Sequence, residues 1–182
     1  MAVGHLFLAS SLVGQSFIVE PVDADALHFG SRVPGQSIDG SGLSDATIVE
    51  TNDPVPTTWP THVSSTPEDT MWLGNNSNPT PMITFDLGST ETIEGFHVWN
   101  YNEVGLTDRG LDNVEVSFST DNVTFGSLTS FDFAEATGTD SYAGETFTMV
   151  SPLAARWIRF DAQTNHGDTD FGGLSEVRFV AV

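Results

Sequence analysis

MITFDL, residues 82–87, alternates apolar and polar side chains along its whole length. Because a strand places successive side chains on opposite faces, the apolar side chains at positions 83, 85 and 87 are expected on one buried face. The same period of two recurs at residues 96–99, 114–119, 146–149, 156–160 and 176–180. Turn-forming residues separate these runs, as at Gly88-Ser89 and Gly172-Gly173, and no window of about a dozen residues shows a helical stripe. The pattern predicts an all-β fold, a sandwich or a jelly roll.

The composition narrows the class of protein. The chain has 182 residues, 25 acidic and 5 basic side chains, a formal net charge of −20 and no cysteine. The length favours one domain with a substantial core. The lack of cysteine excludes disulfide scaffolds, thiolate metal sites and cysteine nucleophiles. The acidity disfavours nucleic acid and anionic membranes, which are bound mainly through lysine and arginine. The negative charge has two compatible interpretations, a solvated surface or a few carboxylates that bind a hard cation.

Two segments stand apart from the strand pattern. Residues 1–14 (MAVGHLFLASSLVG) are apolar and end in small residues, yet they contain no lysine or arginine. We interpret residues 1–16 as a leader, a segment introduced for expression or an extra first strand, and residues 17–182 as a single β-sandwich. Residues 45–68 are rich in Thr, Pro, Asp and Ser, which is too long a stretch for an ordinary turn. This composition predicts a long loop that crosses one end of the sandwich. No other run approaches the length of a membrane span, so no membrane insertion is expected.

Six segments, taken in order, resemble the discoidin domains, also called coagulation factor type C domains. They are residues 37–40 (SIDG), 72–74 with 81–88 (WLG and PMITFDLG), 93–103 (IEGFHVWNYNE), 116–121 (VSFSTD), 155–160 (ARWIRF) and 173–179 (GLSEVRF). Asn122 stands where the family usually has a glycine. The resemblance covers residues 17–182 and implies a galactose-binding-like jelly-roll β-sandwich of two antiparallel sheets. Such domains mostly bind ligands rather than catalyse reactions. In bacteria they commonly serve as carbohydrate-binding modules, especially of family 32.

The resemblance also implies a structural calcium ion at one end of the sandwich. The implied ligands are the side chains of Asp39, Thr70 and Glu176 and the backbone carbonyls of Gln36, Ser41 and Ser175. Calcium accepts six to eight oxygen ligands, so this set suits it. The chain departs from the family's spacing at about residues 42–69, where a long loop is inserted. That insertion either displaces Thr70 from the site or supplies a substitute such as Asp45 or Asp69.

Glycan recognition needs an aromatic face for the apolar side of a sugar and planar groups for its hydroxyls. Residues 74–78, 100–110 and 165–171 form loops with this chemistry, and the family 32 binders that the chain resembles use these loops. The candidate ligand-binding residues are Asn75, Asn102, Glu103, Arg109, His166 and Phe171. Alternatives stay open: Arg109 in a salt bridge, His166 as a loop hydrogen bonder and Phe171 in the core. Trp59, in the insertion, is a candidate exposed stacking platform. The residue types differ from those of galactose-binding members, so galactose is not implied.

Two functions other than glycan binding are considered for this sequence, an enzyme and an adhesion domain. An enzyme is disfavoured because the chain has no H-E-x-x-H, G-x-S-x-G or phosphate-binding glycine loop. An adhesion or matrix domain that binds a protein or cell-surface partner stays open, because discoidin domains also do this. A concave polar site with one aromatic wall would favour sugar, and a broad apolar patch would favour protein. The expected partner is a polysaccharide or glycan, for a secreted or cell-surface bacterial protein that forms part of a larger extracellular enzyme or adhesin.

Overall fold

The computed structural model describes residues 14–75 and 77–182. Within them the strands are β1 (Phe17–Val19), β2 (Asp23–Ala26), β3 (Trp72–Leu73), β4 (Met82–Asn100), β5 (Asn113–Ser119), β6 (Gly126–Asp132), β7 (Glu145–Ala162) and β8 (Gly173–Ala181). One short helix, α1 (Pro67–Thr70), precedes β3. Three 3-10 turns span Pro34–Ser37, Ala46–Ile48 and Thr107–Arg109. The domain is therefore built almost wholly from β-structure, as the alternation predicts.

The strands form a β-sandwich in which two long strands bend. The hydrogen-bonded order is β1-β8-β4-β7-β5-β6, with β2 on β4 and β3 on β8, and the pairings are antiparallel. The first part of β4 pairs with β2 through residues 83–86, whereas its last part pairs with β8 through residues 93–100. Register shifts between Asp86 and Glu91 and between Ile93 and Gly95 mark the bend. This arrangement confirms the predicted antiparallel sandwich.

Aromatic contacts across the two layers fill the core. The rings of Phe85 and Phe179 lie 5.6 Å apart, and those of Phe96 and Phe160 lie 5.1 Å apart. Each such aromatic pair contributes about 0.5–1.5 kcal/mol beyond the burial of its area. The side chains at positions 83, 85 and 87 are buried and those at 84 and 86 are only partly so, which matches the alternation in the sequence.

The inserted segment packs against β4. The ring of Trp59 stacks on that of His97 at a centroid distance of 3.9 Å and meets Trp99 edge-on at 5.7 Å. The indole N–H of Trp99 donates a hydrogen bond of 2.8 Å to the carbonyl of Pro60. The expectation of Trp59 as an exposed stacking platform is therefore wrong. His97 and Trp99 lie two residues apart on one face of β4, and the Trp59 indole packs against both of their rings.

The first strand of the described residues, β1, joins the sandwich by pairing with β8, from Phe17↔Ala181 to Val19↔Phe179. Residues 1–13 carry most of the segment interpreted as a leader, an expression-derived piece or an extra strand, and they lie outside the described residues. None of the helices in residues 14–75 and 77–182 combines the length and the apolar character needed to span a membrane.

Candidate functional site

Four separate parts of the chain surround a pocket of about 270 Å³ at one end of the sandwich. Its lining comes from the loop before the first 3-10 turn, from α1 and the end of β3, and from the loops that precede β5 and β8. The lining residues are Gly30, Ser31, Arg32, Glu68, Leu73, Gly74, Asn75, Arg109 and Phe171. We call this site the arginine pocket, because two of the five arginines of the chain line it.

Glu103 joins the two arginines from below. Its Oε2 atom accepts hydrogen bonds from Arg32 Nη1 at 2.7 Å and from Arg109 Nη1 at 3.2 Å. The hydroxyl of Tyr101, which also accepts a hydrogen bond from Arg32, donates to the same oxygen at 2.5 Å. The side chains of the two arginines are only 12% and 16% exposed. Because charge-assisted hydrogen bonds are strong, they fix the position of both guanidinium groups.

Asp168 and Phe171 also contact the Arg109 side chain. Arg109 Nε donates to Asp168 Oδ2 at 3.1 Å, and the guanidinium carbon lies 4.9 Å from the centre of the Phe171 ring. Asp168 is itself oriented by the backbone N–H groups of Asp170 and Phe171, at 2.8 and 2.9 Å. The pocket thus presents an aromatic ring beside a planar cation whose orientation is fixed.

The carboxylates under the pocket are held in their ionised form. Burial disfavours the charge of Glu103, but the hydrogen bonds from Arg32 and Tyr101 outweigh it and lower the pKa of Glu103. Burial likewise opposes the charge of Asp168, while its backbone N–H donors and Arg109 lower its pKa. The pKa of Tyr101 is raised, chiefly by burial and then by its hydrogen bond to Glu103. At neutral pH the site is therefore a network of fixed charges and not a proton-transfer pair.

Four of the six residues predicted from sequence meet at this pocket. Asn75, Arg109 and Phe171 line it, and Glu103 lies directly beneath the arginines. Arg109 also makes the salt bridge to Glu103 that the sequence leaves open as an alternative, and it makes a second one to Asp168, which was not among the expected partners. The two arrangements are compatible, because a paired arginine still has further N–H donors.

Asn102 and His166 lie outside the lining. Asn102 is fully buried, and its amide donates to the carbonyls of His62, Val63 and Thr139. Its role in the structure is to join the inserted segment to a neighbouring loop. His166 is turned towards the carbonyl of Phe133, which its Nε2 atom meets at 3.0 Å.

Sequence reasoning missed Arg32, Tyr101 and Glu68. The argument that singled out Arg109, namely that cations are rare in this chain, applies equally to Arg32. What the sequence lacks is any sign that residues 30–32 fold beside residues 101–109. Glu68 belongs to the insertion, for which the family pattern offers no counterpart.

The six residues predicted to bind calcium come from three segments that the structure brings together. Gln36 Nε2 donates to the carbonyl of Glu68 at 2.7 Å, and Ser41 Oγ donates to that of Asp69 at 3.0 Å. Through these bonds α1 sits beside the Asp39 loop, so the insertion returns Thr70 to this end of the sandwich. Ser175 and Glu176 approach from β8, where Glu176 Oε2 accepts the backbone N–H of Gly40 at 2.8 Å.

The donor chemistry of this group fits a hard cation. Glu176 is fully buried, and burial raises its pKa to about 7 despite the neighbouring Arg178. The carboxylate of Asp39 is close enough to raise that pKa further. Gln36 Oε1 is buried with no hydrogen-bond partner in the described structure. Two carboxylates and an unpaired amide oxygen suit calcium. The described residues contain no cluster of three or more His, Asp or Glu side chains arranged for a metal, so any such site depends on neutral oxygens.

A rigid sandwich with a polar pocket built by its loops defines the class of protein as a jelly-roll β-sandwich domain. The sequence model of the F5/8 type C domain matches residues 50–177, more than half of the chain. The chain therefore belongs to the F5/8 type C domain family. No curated protein sequence matches it significantly.

Solved structures share the fold. The lectin-binding domain of lectinolysin, a His 62 mutant complexed with Lewis b, is 15% identical with a TM-score of 0.62, over 90% of this chain and 95% of that one. The family 32 module of AlyQ, in complex with 4,5-unsaturated mannuronic acid, is 21% identical with a TM-score of 0.57, over 90% and 97%. The family 32 module from C. perfringens NanJ, in complex with galactose, is 14% identical with a TM-score of 0.55, over 91% and 98%. The chain spans only 33% of a truncated AlyQ that carries both a CBM32 and an alginate lyase domain.

Proposed function

We propose that this domain is a non-catalytic carbohydrate-binding module that recognises a glycan in the arginine pocket. The observation that carries the proposal is the position of Arg109, which is fixed by Glu103 and Asp168 and lies 4.9 Å from the Phe171 ring centre. A sugar needs an aromatic surface and planar hydrogen-bond donors side by side. The pocket is concave and polar with one aromatic wall, which favours a glycan over the protein partner of an adhesion domain.

The state of the carboxylates supports a binding role and not a catalytic one. A glycosidase needs one carboxylic acid whose pKa is raised so that it can protonate the leaving group. Near the arginine pocket, Glu103 and Asp168 both have lowered pKa values, and both are ion-paired with arginine. Neither is suited to donate a proton near neutral pH.

The charge of the pocket favours a neutral glycan. Arg32 and Arg109 are balanced by the two carboxylates below them, and Glu68 adds a further negative charge at the rim. The Glu68 side chain is 68% exposed and accepts a 2.8 Å hydrogen bond from Arg32 Nη2. A uronic acid or sulfated sugar would have to displace Glu68 to reach this nitrogen.

Replacing Glu68 with Gln is expected to strengthen the binding of galacturonate oligomers by about two- to fivefold, the range of an exposed ion pair. Affinity for a neutral glycan should change little, since the shape of the pocket is kept. Isothermal titration of both ligands measures this, with Glu115→Gln as a control that removes a carboxylate elsewhere. Equal uronate affinity in Glu68→Gln and the control would contradict the proposed charge selection.

We propose further that calcium is held by Asp39, Thr70 and Glu176 with the carbonyls of Gln36, Ser41 and Ser175. The convergence of these segments supports this role, and the unpaired buried Oε1 atom of Gln36 adds a side-chain oxygen beside the proposed backbone carbonyl of the same residue. The ion would join the loop at Asp39 to β8 and to the end of the insertion. It would neutralise the buried carboxylate of Glu176 beyond what Arg178 supplies.

Chelation tests the calcium site. A ligand that binds only the folded state stabilises it by about 2.7 kcal/mol at a concentration of 100 times its Kd. At about 2–4 °C per kcal/mol for a domain of this size, the Tm in calcium should exceed that in chelator by roughly 5–10 °C. Differential scanning calorimetry in calcium and in EDTA measures it, and Asp39→Asn should abolish the difference. Superimposable curves for the natural chain would overturn the site.

We also propose that the domain is part of a larger extracellular protein. Its fold is shared with a module that is joined to an alginate lyase domain. Together with the acidic, cysteine-free composition, this supports a secreted or cell-surface bacterial protein in which the domain targets a larger enzyme or adhesin to its glycan.

A further inference from the structure

A second polar groove crosses the outer face of the sheet formed by β2, β4 and β7. It encloses about 450 Å³ and shares no lining residue with the arginine pocket. The lining residues are Asp23, Ala24, Asp25, Thr84, Asp86, Asn122, Trp157 and Arg159. A volume of this size lies within the usual range for small-ligand sites. We call it the sheet groove.

The register of the strands sets two rows of side chains across this groove. Asp25 pairs with Thr84, which pairs with Arg159. In the adjacent row Asp23 pairs with Asp86, which pairs with Trp157. Directly paired residues present their side chains on the same face of a sheet, so the two rows form a continuous floor. Regular strands hold this floor, which makes it more rigid than a loop surface.

Arg159 is the unusual member of the groove. Among the residues that the structure describes, the other four arginines each make a salt bridge, and Arg159 makes none. Its Nε donates to Thr84 Oγ1 at 3.2 Å, and its guanidinium carbon lies 3.7 Å from the centre of the Phe125 ring. In a chain of net charge −20, a cation that lies over an aromatic ring and not on a carboxylate can offer its terminal N–H groups to a ligand.

The other groups of the groove complement this donor. Asp23 and Asp25 are exposed carboxylates that can accept hydrogen bonds from hydroxyl groups. Asp86 is already engaged by Arg156 at 2.8 and 2.9 Å, an ion pair that lowers the pKa of Asp86. Trp157 supplies an aromatic ring, one face of which is covered by the Arg156 guanidinium at 4.3 Å from the ring centre.

We propose that the sheet groove is a second glycan-binding site, one that takes a neutral saccharide. It combines a planar donor, two acceptor carboxylates and an indole, which is the set of groups that sugar hydroxyls and the apolar face of a pyranose require. With Asp86 and Arg156 paired, the two free carboxylates outnumber the single cation Arg159, so uronates and sulfated sugars are repelled. This inference does not rest on the function of the arginine pocket.

A site-resolved titration tests it. Nitrogen-15-labelled protein is titrated with galactose, glucose, mannose, N-acetylgalactosamine and lactose, and amide shifts are followed at residues 23–25, 84–86 and 157–159. At least one saccharide should move these signals, and Arg159→Ala should weaken that response at least tenfold. Asp25→Asn should weaken it as well, whereas Glu115→Gln, a carboxylate change on β5 outside the groove, should leave it unchanged.

The arginine pocket is read out separately in the same spectra, at residues 74–75 and 171. If no saccharide moves the groove signals, or if Arg159→Ala leaves the response intact, the second site is contradicted whatever happens at the pocket. If only the groove responds, the second site holds and the function proposed for the arginine pocket fails.

Discussion

Replacing Arg178 with Met should lower the free energy of unfolding by about 3–5 kcal/mol, the cost of leaving a buried charge without its partner. The side chain is 1% exposed, and its Nη1 lies 2.5 Å from Glu176 Oε1. It also donates to the carbonyls of Ile38 and Val49, at 3.1 and 3.0 Å. One arginine on β8 therefore supports both the Asp39 loop and the inserted segment. The Tm should fall by roughly 6–20 °C for a domain of this size.

The control for this prediction is Arg156→Ala. Arg156 is an arginine on β7 whose side chain is 37% exposed, so its ion pair with Asp86 is screened by solvent and is expected to contribute little to stability. Adding Glu176→Gln to Arg178→Met should recover part of the loss, because the stranded carboxylate is then neutral. All variants are melted in EDTA so that calcium does not contribute. A loss for Arg178→Met no greater than that of Arg156→Ala would contradict the stabilising role of this ion pair.

Replacing Arg109 with Ala should weaken glycan binding by at least about tenfold. The variant loses the guanidinium donors beside Phe171, and hydrogen bonds to a charged group are worth about 1.5–3 kcal/mol. The fold should hold, because Glu103 keeps its bonds to Arg32 and Tyr101, and Asp168 keeps two backbone donors. The Tm should therefore change by no more than a few degrees. Isothermal titration and a thermal melt, run on the same preparation, separate binding from stability.

Glu115→Gln again serves as the control, since it changes a charged side chain on β5 that lines neither site. Its glycan affinity should equal that of the natural chain. An Arg109→Ala variant that binds equally well would remove Arg109 from the site. A variant that has lost binding together with more than about 10 °C of Tm would show that Arg109 acts chiefly through the fold, which would contradict its proposed contact with the glycan.

Strand content could be predicted because it rests on local alternation. The pattern at residues 82–87 reappears as the buried and half-buried sides of β4. The bend of β4 could not be predicted in this way, since it depends on which neighbour pairs with each part of the strand. The prediction of Trp59 as an exposed stacking platform is wrong for a related reason. Its partner His97 is distant in sequence, and only the packed insertion brings the two rings together.

In the candidate site, too, residue types could be predicted from the sequence, whereas the contacts made by folding could not. Arg109 and Phe171 were found because their residue types are rare or chemically distinct within loops, and the structure places both at one pocket. Asn102 was selected on the same grounds, yet three carbonyls surround its amide and leave it fully buried. An amide in a loop has the same composition whether it contacts a ligand or joins two backbone segments, so only burial separates the two roles.

The most direct test of a glycan site in the arginine pocket is a glycan array probed with the natural chain and with Arg109→Ala, in calcium and in chelator. The natural chain should bind one class of glycan, and Arg109→Ala should lose that binding. Chelator should weaken the binding of the natural chain, because the calcium ion proposed above would hold the loops around Asp39 and α1 in place. No binding by the natural chain in either buffer, or identical binding by Arg109→Ala, would contradict a glycan site built on the arginine pocket.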